Sequence, residues 1–168
     1  MKRQPKTKGR TMFAFHGKKE IKERYLGRVR AHAAADEILQ GYGYWKNGKG
    51  CAVGCTLHSQ THANYETELG IPVRIAHLED RLFEMMGTDA AKTWPVRFLE
   101  AIPVGADLDL VWAKWMRWVL AEYLPAIPGC VTDDNRAAIS NVVALFERNI
   151  RGEDVSLDEW RAAAEAAE

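Results

Sequence analysis

Four side chains that ligate metals or attack electrophiles crowd one short stretch: Cys51, Cys55, His58 and His62, spaced C-x3-C-x2-H-x3-H. Thiolates and imidazoles are natural zinc ligands, and four of them satisfy its tetrahedral preference. The spacing departs from the usual C-x2-C knuckle. Zinc is therefore one reading, and two buried thiols beside two partly exposed histidines is the other. The same residues admit a nucleophilic site. Cys51 or Cys55 would attack, His58 or His62 would act as base, and Glu66 or Glu68 would orient that base. Backbone N–H groups of neighbouring glycines would receive the oxyanion. A C-x3-C redox pair fits less well, because thioredoxin-like chemistry uses C-x2-C in a βαβ unit.

A second set comprises His32, Asp36, Glu37, His77, Glu79 and Asp80. On helices, His32 and Asp36 would share one face, and His77 and Asp80 another. Facing helices build carboxylate–imidazole di-iron centres from E-x2-H motifs, and this chain has none. Solvated helix faces or local histidine–carboxylate hydrogen bonds are the plainer expectation. Tyr42, Tyr44, Trp45 and Tyr65 surround the cysteine–histidine stretch. Such rings stack bases or line a pocket, or they pin an irregular loop to the core.

These groups need elements to position them. Ile21, Tyr25, Leu26, Val29, Ala33 and Ile38 recur at helical steps and predict a helix over Lys18–Gln40. Gly41 and Gly43 end it. Five glycines between 41 and 60 argue against a regular helix there. Asn47-Gly48 signals a tight turn, so a small β-hairpin or an ordered loop is expected. A short helix follows over His62–Leu69, with Ser59 or Thr61 as cap and Gly70 as stop. Pro72 suits the start of a helix reaching Met86. Another helical piece carries Pro95, Phe98, Leu99 and Ile102. Asp107 or Asp109 caps the most apolar helix, which runs to about Tyr123 and holds Trp112, Trp115 and Trp118. Apolar groups lie on nearly every side of it, so it is either central in the fold or covered by a second chain. Thr132 or Asp133 opens a helix to Asn149, and Ser156 with Glu159 forms a capping-box pattern for the last, alanine-rich helix. The fold class is all-α, or mainly α, in a multi-helix bundle with a Gly-rich loop or small hairpin near 41–57. Residues 13–168 read as a single helical domain behind a basic, flexible tail at 1–12.

Charge is balanced overall but not along the chain. Residues 1–30 hold eleven lysines and arginines against Glu20 and Glu23. That basic stretch, with Lys18, Lys19 and Lys22 on the first helix, would face nucleic acid or an acidic partner. No helix-turn-helix, zinc-finger or RNA-recognition pattern accompanies it. The most apolar window, Leu108–Leu124, contains Lys114, Arg117 and Glu122, which a lipid core would not accept. The residues after MKRQPKTKGR lack the apolar run of a secretory signal. The expectation is therefore a cytoplasmic protein without a membrane partner. Three cysteines, an odd count, argue for free thiols.

The stretches GKGCAVGCTLHS (48–59), HANYETELGIP (62–72), LEDRLFE (78–84) and FLEAIPVGADL (98–108) resemble an uncharacterised family of bacterial and phage or prophage proteins. The resemblance spans most of residues 12–160. It implies no activity, cofactor or site residue. A phage setting implies an accessory factor that binds a host protein or nucleoprotein. Two functions stay open. The first is a non-enzymatic helical binder acting through Trp112, Trp115 and Trp118 or the basic lysines, with host or self protein as partner. The second is a metal- or thiol-dependent enzyme centred on Cys51, Cys55, His58 and His62.

Overall fold

Helix α1 (Lys19–Ala34) ends well before the apolar period does. Asp36 takes a left-handed conformation, φ 55°, and turns the chain toward the hairpin. The Leu39 N–H then donates to the Gly50 carbonyl at 2.8 Å, and the Gly50 N–H to the Glu37 carbonyl at 3.2 Å. Long-range backbone pairing thus claims residues 37–39, which local propensity alone assigns to helix.

The computed structural model describes residues 12–166. The expected basic tail lies, but for Met12, outside the described residues. The chain divides into two compact units between Asp109 and Leu110, where the sequence pattern alone reads as one domain.

In the first unit, β1 (Trp45–Lys46) and β2 (Lys49–Gly50) pair antiparallel. Asn47 and Gly48, at φ 52° and 80°, supply the two left-handed residues of a type I′ turn. The glycine-rich stretch then does what its composition argues against. It forms helix α2 (Ala52–Leu57), capped by Cys51, whose sulfur accepts the Gly54 N–H, and closed at left-handed His58. Two of its glycines, Gly50 and Gly54, serve close approach. A Cβ on Gly54 would lie 1.2 Å from the Tyr44 carbonyl oxygen, and one on Gly50 only 1.9 Å from it. A π-helical turn over Tyr65–Leu69 ends at Gly70. Helix α3 (Val73–Met85) starts after Pro72, and α4 (Thr88–Ala101) carries Pro95 in its interior. Phe15, Val29, Val53, Tyr65, Leu69, Ile71, Phe83 and Leu99 are fully buried and form this unit's core.

In the second unit, α5 (Val111–Trp118) continues as a π-helical turn, Val119–Tyr123, and a 3-10 turn, Leu124–Ala126. No side chain caps α5. The Asp107 carboxylate accepts the Asp109 N–H at 3.0 Å instead. Helix α6 (Asp133–Ile150) begins where Asn135 Oδ1 accepts the Thr132 N–H at 2.8 Å. Helix α7 (Leu157–Glu165) opens on the Ser156–Glu159 capping box. Phe146 of α6 packs on Trp160 of α7 at 4.8 Å between ring centroids. The described residues are mostly helical, with a minor two-stranded β element. Among the described residues, no helix is long and apolar enough to cross a membrane.

Candidate functional site

The four sequence-nominated ligands do not meet at one point. Cys51 and Cys55 point into the first unit's core, with 1% and 0% of their surface exposed. The Cys55 S–H donates to the Gly50 carbonyl at 3.4 Å and lies 3.6 Å from that of Glu37. Burial pushes its pKa up to about 12. Burial and the neighbouring Asp80 carboxylate drive the Cys51 thiol higher still. Both sulfurs are therefore neutral S–H groups at physiological pH, which is the wrong form for a nucleophile. All three cysteines are free. Among the described residues, no group of three or more His, Cys, Asp or Glu side chains is placed to hold a metal ion.

The histidines instead enter two separate clusters. In the first, His32 Nδ1 lies 2.6 Å from Glu37 Oε2, and His32 Nε2 lies 2.7 Å from His58 Nε2. The Glu37 carboxylate accepts from the His32 Nδ1–H, and Glu37, His32 and His58 form one hydrogen-bonded chain. Trp45 stacks on His58, with centroids 4.2 Å apart and planes 15° from parallel. Desolvation, then Arg28 and His32, hold the His58 imidazole below its ordinary pKa and so neutral at pH 7. Asp36, the partner that helical spacing suggests for His32, pairs with Lys92 at 2.9 Å. Glu37 reaches His32 only because the helix has already ended.

The second cluster gathers His62, His77, Asp80, Cys51 and Tyr44. His62 is buried, with Tyr44 edge-on at 4.7 Å and His77 tilted at 4.2 Å. Its Nε2 lies 3.3 Å from Asp80 Oδ2 without a hydrogen-bond partner, and Asp80 Oδ1 has none either. Burial pushes the Asp80 carboxyl up. His62 and the Cys51 S–H outweigh that and hold it below the ordinary range. Behind this cluster, Glu79 is fully buried, accepts the Tyr65 hydroxyl on Oε2, and leaves Oε1 without a partner. Burial raises its pKa to about 8.

The nominated lysines have divided uses. Lys22 Nζ donates to the carbonyls of Glu100 and Ile102 at 2.9 and 2.7 Å, closing the C-terminus of α4. That contact removes it from the free basic face. Lys19 pairs with Glu23 at 3.1 Å on the surface, and Lys18 is exposed ahead of α1.

The aromatic helix departs most from expectation. Only Ala113 of α5 is buried, so α5 is not the buried central helix that its composition suggests. Trp112 and Trp115 are half-buried with rings 5.5 Å apart. Trp118 is 45% exposed and Tyr123 50%, and their rings lie 5.3 Å apart. Leu110 and Val111 are exposed as well. Between the end of this helical run and α6, Leu120 and Pro125 on one side and Val131, Ile139 and Val143 on the other line a groove of about 290 Å³. No family model, curated protein or solved structure matches the chain.

Proposed function

We propose that this protein works by binding another macromolecule through the aromatic face of α5, as a non-enzymatic accessory factor of the phage or prophage kind it resembles. The observation that carries the reading is the exposed Trp118–Tyr123 pair. Exposed indoles and phenols in contact are the anchors of protein interfaces, because they bury large area at low entropic cost. A host or self protein fits better than nucleic acid. Lys22 is engaged with α4, Lys19 with Glu23, and Arg30 with Glu100 at 2.6 Å. The neutral thiols weigh against a thiol nucleophile as the alternative.

The test places a photo-crosslinking phenylalanine at position 118 of the full chain, in extract of a host cell. A matched probe replaces Arg136, which is 62% exposed on α6. The reading expects discrete adducts from position 118 alone. Excess wild-type protein removes them, and excess Trp118→Ala competes about 30-fold less well, the loss of a ~2 kcal/mol anchor. No adduct at 118, or the same pattern from 136, refutes it.

A further inference from the structure

From Val111 to Tyr123 the exposed residues are Val111, Lys114, Trp118, Glu122 and Tyr123. Steps of three and four residues set Val111, Lys114 and Trp118 on one face of α5, and the next four lead into the π-helical turn at Glu122. Lys114 stands four residues before Trp118 and Glu122 four residues after it. A two-fold axis through Trp118, with the helices antiparallel, would set residue 118 − k of one copy against 118 + k of the other. Lys114 then faces Glu122 of the second copy, twice over, while the two indoles meet on the axis.

The charge placement gains meaning in that arrangement. A lysine in the first turn and a glutamate toward the end oppose the helix's own dipole. Eight residues, about 12 Å along the axis, also separate them too far to pair within one helix. Arg117 does hold Oε1 of Glu122, but that carboxylate is still 54% exposed. The order is unfavourable in an isolated helix and complementary across a two-fold. We infer that the α5 stripe pairs with the same stripe of a second copy, antiparallel about Trp118, as a self-complementary interface. This inference rests on α5 being the binding face and names its partner.

The area sets the strength. Half-exposed Trp118 and Tyr123, with Val111 and Leu110, offer roughly 300–400 Å² per copy. A standard interface takes about 800 Å² from each partner, so the pair belongs to the weak, reversible class.

The experiment is sedimentation of the full chain over about 5–500 μM, at low salt, for wild type, Lys114→Glu, Glu122→Lys and the double reversal. Both positions are exposed, and circular dichroism verifies that each variant is folded. Wild type is expected to dimerise with concentration. Either single reversal creates two like-charge contacts and weakens association about tenfold. The double reversal returns it to within about threefold of wild type. A wild type that stays monomeric at every concentration overturns the inference, as does a double reversal no better than the singles. If position 118 crosslinks another protein while the chain stays monomeric, self-pairing falls and the binding reading stands.

Discussion

Replacing Glu79 by Gln should make this protein more stable at pH 8 and nearly indifferent at pH 4.5. Glu79 is fully buried, and its carboxyl has one partner, the Tyr65 hydroxyl on Oε2, with Oε1 unpaired. Its main-chain carbonyl is occupied by the Trp94 indole N–H at 3.1 Å. No cation offsets the burial in this set of contacts, so the neutral acid is favoured and the pKa rises from 4.5 to about 8. Between those values the folded protein keeps a proton that the unfolded chain has released. Protons bound in excess by the native state make stability fall as pH rises. The stabilising contribution is complete below about 4.5, is lost progressively, and is gone above about 8. At about 1.4 kcal/mol per pH unit, the rise is worth about 3–6 kcal/mol. Gln has the shape of the protonated acid, can accept from Tyr65, and does not titrate. Urea unfolding of wild type and Glu79→Gln between pH 5 and 8.5 isolates the term by difference. The variant's advantage should grow with pH across that window. An advantage that stays constant within about 1 kcal/mol would show that Glu79 is ionised in the fold, and would refute the reasoning.

Two glycines make a paired test of the close approach at Tyr44. Gly54→Ala, whose Cβ would sit 1.2 Å from the Tyr44 carbonyl oxygen, should cost about 3 kcal/mol or more in thermal or urea unfolding. Gly27→Ala, exposed on α1 with nothing within 4 Å of a new Cβ, should stabilise by about 0.5–1 kcal/mol. Shifts of the same sign would contradict the packing described. Brief iodoacetamide treatment at neutral pH, read by mass spectrometry, should label half-exposed Cys130 at least about tenfold faster than Cys51 or Cys55. Equal labelling of Cys55 would overturn its assignment as an inert core thiol.

What was legible in the sequence was chiefly what local chemistry decides. Asn47-Gly48 makes its turn because both residues tolerate positive φ. Ser156 and Glu159 cap α7 because three residues bring the carboxylate back to the Ser156 N–H at 2.8 Å. Pro72 starts α3, and Gly70 ends the turn before it, for equally local reasons. The candidate sites were less legible because each depends on a distant partner. Glu37 meets His32 through a five-residue step outside the three- and four-residue spacing of an α-helix face, and the chain breaks there because residues 37–39 pair with Gly50. Helix α2 holds a single glycine, Gly54, where the Tyr44 carbonyl occupies the space that a Cβ would fill.

The α5 disagreement is of another kind. An all-round apolar pattern states that a helix will be covered, but not by what. The α5 composition makes that demand, and the described fold meets it at Ala113 while leaving Val111, Trp118 and Tyr123 in solvent. An uncovered Trp–Tyr pair is a standing cost to an isolated chain, since about 25 cal/mol is forgone for each Å² of apolar surface left wet. A surface recovers that cost only when something binds it. The departure from the expected burial therefore narrows the proposed contact surface further than the aromatic spacing does. Spacing nominated Trp112, Trp115 and Trp118 alike, whereas exposure selects Trp118 and adds Tyr123.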